Sequence, residues 1–178
     1  MNSEMTNSEL NRLIPPEMKN DELYAAIQKL AREEDIKTVL EIGSSSGGGS
    51  TEAFVTGLRD NPNKPTLFCM EVSKTRFAEL TKNYENDSFV KCYNVSSVSL
   101  KQFPKENEII EFYNTTQTNL NFYPLERILG WLKQDIDYVK NSGDTNGIIK
   151  IKQENNIDFF DLVLIDGSEF TGNAELED

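Results

Sequence analysis

Six side chains and two glycines of this chain sit where strand-end chemistry is done. Glu41, Gly43, Ser44 and Gly47 fall within Glu41-Ile42-Gly43-Ser44-Ser45-Ser46-Gly47, which runs straight into Gly48-Gly49-Ser50-Thr51. Glu71, Asn94, Asp166 and Glu169 lie at or just past the ends of three later apolar runs. A glycine-rich turn between strand and helix lets a ligand touch bare backbone, because glycine has no side chain to hold it off. The helix that follows offers unpaired N–H groups to whatever lies in the turn. An acid before such a turn and a second acid one strand later point to a nucleotide-like cofactor.

Other residue types narrow the chemistry. The chain has no histidine. That removes the commonest general base, every Ser-His-Asp or Cys-His scheme and most zinc sites. Acid–base or metal chemistry falls to Asp, Glu, Lys, Tyr or Asn. The two cysteines, Cys69 and Cys92, have no metal-ligand spacing and read as reduced thiols inside strands. Ser44 to Ser50 has the composition of a flexible linker, but a buried strand and a capped helix abut it directly. The stretch also approaches the phosphate loop G-x-x-x-x-G-K-[ST], with Gly49 where the lysine must stand. The dinucleotide pattern G-x-G-x-x-G fails too, since Ser50, Thr51 and Glu52 follow the three glycines.

The elements that must position these residues follow from periodicity. Asn20 or Asp21 caps a helix to about Glu34, with Leu23, Ile27 and Leu30 at helical spacing. A continuous apolar strand spans about 37–42, in the manner of a sheet covered on both faces. Ser50 or Thr51 caps the next helix, ending near Gly57 to Arg59. Strands over 66–72, 89–94 and 159–166 follow, the first two separated by a helix that Ser73 caps. Between the third and fourth strands, about 96–157 reads as a helical insertion. It holds a short helix near Ser97 to Phe103, another after Pro104, a long one from Pro124 to Asn141 and a last stretch from Gly147 to Asn155. The aromatics of this insertion, Trp131 among them, read as helix packing. Strands alternating with helices argue for an α/β, doubly wound, three-layer Rossmann-like and mostly parallel sheet.

Glu41-Ile42-Gly43-Ser44-Ser45-Ser46-Gly47 fits E-x-G-x-x-x-G and resembles the first motif of class I S-adenosylmethionine-dependent methyltransferases. The resemblance implies that Glu41 offsets the cofactor's positive charge and that Gly43, Ser44 and Gly47 let the backbone approach it. Glu71 stands roughly 20 residues after the last glycine, where nucleotide-binding α/β sheets set an acid on the ribose hydroxyls. Asn94 takes the place of a polar residue beside the adenine, with an ordinary turn asparagine as the alternative. Ile165-Asp166-Gly167-Ser168-Glu169-Phe170 is similar to the I-D-G-x-H-x-Y motif of a branch that includes sugar and natural-product O-methyltransferases. Glu169 replaces the histidine and Thr171 the tyrosine. Asp166 and Glu169 are thus the expected catalytic residues, and Asp166 a candidate Mg²⁺ ligand.

The implied function is methyl transfer from S-adenosylmethionine to oxygen of a small-molecule acceptor. A nicotinamide-dependent oxidoreductase and a truncated cofactor-binding or structural module are the rivals. The family normally adds three more strands after the fourth. This makes residues 159–166 a sheet edge and suggests a homo-oligomer formed through or over it. Residues 1–19 read as a flexible arm ahead of one domain over 20–178. Thirty acidic against eighteen basic residues leave a net charge of -12, which repels a nucleic-acid backbone. No apolar run reaches the ~18–20 residues of a membrane span and no export signal stands out, so a cytoplasmic setting is expected.

Overall fold

The computed structural model describes residues 18–142 and 145–177. Most of the expected arm, up to position 17, lies outside the described residues, as do Gly143 and Asp144. Helix α1 (Glu22–Ala31) starts at Asp21, whose carboxylate accepts the Tyr24 N–H at 2.8 Å. Then come β1 (Thr38–Ile42), α2 (Ser50–Arg59), β2 (Thr66–Met70), α3 (Lys74–Asn83) and β3 (Val90–Tyr93). The insertion holds a 3₁₀ turn (Leu100–Gln102), α4 (Glu106–Thr115), a second 3₁₀ turn (Asn119–Phe122), α5 (Leu125–Asn141) and α6 (Gly147–Asn155). Strand β4 (Leu162–Ile165) and α7 (Gly172–Glu177) close the described chain.

The four strands form one wholly parallel sheet in the order β3-β2-β1-β4. Successive side chains of a strand face opposite ways, which sorts the core into two layers. Val39, Leu67 and Cys69 pack with Tyr24, Ile27, Phe54, Leu58 and Leu80, under α1, α2 and α3. Leu40, Ile42, Phe68 and Met70 pack on the other face with Val95 and with Ile148 and Ile151 of α6. The expected α/β architecture with a covered sheet therefore holds. Cys69 and Cys92 are register partners on β2 and β3 and are free thiols.

Three expected elements differ in detail. The helix over 97–103 contracts to the 3₁₀ turn, because Ser99 satisfies itself on the Gln102 side chain at 2.7 Å. Helix α2 starts at Gly49 with no side-chain cap, since the Ser50 and Thr51 hydroxyls are drawn to another partner. Strand β4 is shorter than 159–166: Phe159 is exposed, and Asp161 turns one carboxylate oxygen onto the N–H groups of Lys37 and Thr38, both at 2.8 Å. That contact pins the start of β4 to the start of β1. On its other edge β4 has no pairing strand among the described residues. Asp161→Ala is expected to speed hydrogen exchange of the β4 amides several-fold while leaving the β1–β2 ladder unchanged, as measured by mass spectrometry or NMR.

Candidate functional site

Strand β1 is the hinge of the sheet: the chain winds from it to β2 and β3 on one side and returns to β4 on the other. Open α/β sheets leave a crevice beyond the strand ends at such a reversal. Here it is a cavity of about 120 Å³. Gly43 after β1, Glu71 after β2 and Asp166 after β4 line it together.

Glu41 does not line it. Alternation along β1 turns Glu41 to the Val39 face, beneath the start of α2. It is fully buried, and its two carboxylate oxygens accept the Ser50 hydroxyl at 2.5 Å and the Thr51 hydroxyl at 2.6 Å. Burial pushes its pKa above the ordinary carboxylate value, against the pull of those hydroxyls. The acid expected to face a cofactor's charge instead ties the strand to the helix across the glycine turn.

The turn itself is shaped by close contact. Gly43 and Gly47 have φ of 89° and 84°, a region that L side chains rarely adopt. A Cβ on Gly43 would overlap the Asp166 carbonyl, and one on Gly47 would press into the Tyr84 ring and Leu80. The N–H groups of Gly43 and Ser44 both donate to the Met70 carbonyl at 3.0 Å. Ser44 is buried and Gly47 donates its N–H to the Ser44 carbonyl at 3.0 Å, so neither reaches the cavity.

Glu71 is nearly buried and accepts the Ser73 N–H at 2.7 Å. Burial raises its pKa, opposed by that N–H and by the Arg76 charge. Asn94 sits beside the cavity wall and donates its amide to the carbonyls of Glu71 and Val72 at 2.8 and 3.1 Å. It steadies the end of β2. Glu169 is exposed and lines a separate open depression with Phe170 and Leu176. The expected catalytic pair is therefore split: Asp166 lines the cleft and Glu169 does not.

Three charged residues of the cleft escaped the motifs. Asp135 on α5 accepts the Ser168 hydroxyl at 2.6 Å, and burial raises its pKa. It continues the spacing of the buried Ile128, Leu132 and Val139, so an acid inside an apolar stripe was its signal. Arg76 on α3 acts on both Glu71 and Asp135 and lies 5.9 Å over the Tyr138 ring. Glu175 on α7 accepts the Ser97 hydroxyl at 2.9 Å. No sequence pattern marked Glu175, because a six-residue helix carries no periodicity to read.

Among the described residues no group of three or more Asp, Glu or Cys side chains is placed to hold a metal ion. Asp166, the expected Mg²⁺ position, belongs to no such group. No helix among the described residues is long and apolar enough to cross a membrane. No protein-family model matches the chain, and no curated protein matches it.

Glu41, Glu71, Asp135 and Glu175 all have raised pKa values, each chiefly through burial. An acid whose folded pKa exceeds its unfolded value contributes stability below the unfolded pKa. That contribution is lost as pH rises through the folded pKa. The melting temperature is therefore expected to fall as pH rises above the ordinary carboxylate range of about 4. Glu41→Gln should flatten that slope in calorimetry, because it removes one of the titrating groups.

Proposed function

We propose that this chain is an S-adenosylmethionine-dependent methyltransferase domain acting on a small molecule. The observation that carries the reading is the convergence of Gly43, Glu71 and Asp166 on one cleft at the reversal point of a parallel sheet. In this reading Glu71 accepts the ribose hydroxyls, and the acidic walls offset the cofactor's positive charge. Gly43, at the turn, would lie against the methionine part. The cofactor, when bound, supplies an activated methyl group. The chain's own work is alignment of the acceptor, with Asp166 taking the acceptor's proton. The cavity is smaller than the ~300–1,000 Å³ of typical ligand pockets, so binding requires its rim to yield.

A second reading, a cofactor-binding or structural module without turnover, is favoured by one observation. Both motif glycines and Glu41 already have packing reasons within the fold. Titration calorimetry with S-adenosylhomocysteine addresses the cofactor claim. Saturable heat is expected, and Glu71→Ala should weaken it about tenfold, the worth of one or two hydrogen bonds. A folded protein that gives no heat with this ligand removes the cofactor claim, and heat with NADH instead would favour an oxidoreductase.

The proposal includes self-association over β4, whose Val163 is 44% exposed and whose outer edge has no pairing strand among the described residues. Light scattering is expected to give a mass above 20.2 kDa at micromolar concentration. A strictly monomeric protein removes this part.

A further inference from the structure

The charges around the cleft do not balance. Glu71, Asp135, Asp166 and Glu175 line it, against Arg76 as its one lining cation among the described residues. Arg76 acts on Glu71 and Asp135. At the other end, the charge that acts on Glu175 is that of Asp166, which repels it. Two carboxylates of like charge thus share one wall.

Glu175 adds an independent sign. Its side chain lines the cleft, yet the residue is only 6% exposed. One oxygen accepts from Ser97 at 2.9 Å and from Thr171 at 3.4 Å. The other, Oε2, is buried and has no hydrogen-bond partner among the described residues. A buried carboxylate oxygen left unpaired costs a fold several times what an ordinary hydrogen bond contributes. Hydroxyls from two segments nevertheless hold the group in place. Gly167 belongs to the same arrangement: a Cβ there would run into the Glu175 carboxyl, so glycine keeps that space open.

We infer that the Glu175–Asp166 end of the cleft is a subsite for a primary ammonium group carried by the methyl acceptor. The acceptor is then an amine, and the methylated atom nitrogen rather than the oxygen suggested by the sequence motif. An ammonium suits the place because it is a compact cation with three donors, one of which can serve Glu175 Oε2 while the nearby Asp166 charge adds to the attraction. Its chemistry is also consistent with the neighbouring acids. The ammonium passes one proton to a carboxylate, and the freed nitrogen lone pair forms the new C–N bond. The C–S bond breaks and its electrons remain on sulfur, leaving a thioether. The inference rests on the methyltransferase reading for the group-transfer step, but the ammonium subsite itself does not.

Two-dimensional NMR of the isotopically labelled chain tests the subsite, with methylammonium chloride as probe. Methanol and sodium chloride at matched ionic strength serve as the neutral and ionic controls. Saturable shifts are expected at the Gly167, Thr171 and Glu175 amides with methylammonium alone. Glu175→Gln should weaken this binding about tenfold, in keeping with loss of a charge-assisted hydrogen bond. For the unmodified chain, binding should tighten as pH rises from about 4 to about 7, because the carboxylates must ionise to hold a cation. This second measurement decides the matter if the variant does not fold. Shifts that are absent, that methanol reproduces, or that do not respond to pH overturn the subsite. Shifts that persist with S-adenosylhomocysteine bound support an acceptor amine, whereas shifts that this ligand abolishes assign the subsite to the cofactor's own ammonium and overturn the acceptor claim. If S-adenosylhomocysteine does not bind, the methyltransferase reading fails separately, and the methylammonium titration still decides the subsite.

Discussion

A carboxylate buried at the end of the central strand is the constraint on which the rest of the site depends. Glu41 has no access to water, so its oxygens need partners inside the protein. Ser50 and Thr51 supply them from the first turn of α2. Those two contacts fix how far the helix start lies from the strand end. They also take away the hydroxyls that would otherwise cap the helix, leaving Gly49 at its start. The chain between must then turn sharply, which Gly43 and Gly47 allow through their positive φ angles.

From that turn the cleft follows. Gly43 lets the Asp166 carbonyl come close, so the ends of β1 and β4 meet at one rim. Gly43 and Ser44 bond back to Met70, which draws in the end of β2 and brings Glu71 to the same space. Segments that cross the insertion complete the wall. Asp135 from α5 reaches Ser168, and Ser97 after β3 reaches Glu175 on α7. The result is a small, acid-lined space with its cation at one end. A negative cleft in a chain already strongly acidic favours ligands that bring positive charge.

Much of this is legible in the residues. The strand runs of β1 and β2 are continuous and apolar, and their expected boundaries lie within two residues of the observed ones. Glu71 and Asp166 stand out because they terminate such runs. Glu41 stands out as well, but it faces away from the cleft rather than into it. Counting by twos from Val39 sets it on the helix-covered face, and that parity is a property of the residue order alone. Asp135 is visible in the same way, as an acid in the apolar stripe of α5. Glu169 draws attention through its place in a motif, while the carboxylate that enters the cleft from the same segment is Glu175. The turn of Ser168 to Thr171 decides between them, with the Thr171 N–H bonding to the Ser168 carbonyl at 3.1 Å.

The sequence by itself determined the alternation of strands and helices, the covered parallel sheet and the acids at its strand ends. These depend on local periodicity and on which residues terminate an apolar run, and both are written in the order of the chain. The tertiary structure decided which acids share a space. Ser97 and Glu175 stand 78 positions apart, and Asp135 and Ser168 stand 33 apart. Such pairs meet only when α5, α6 and α7 have packed on or beside the sheet. Burial then sets which carboxylates find hydroxyl partners and which keep an oxygen unpaired, a property of the packed whole that no short stretch encodes.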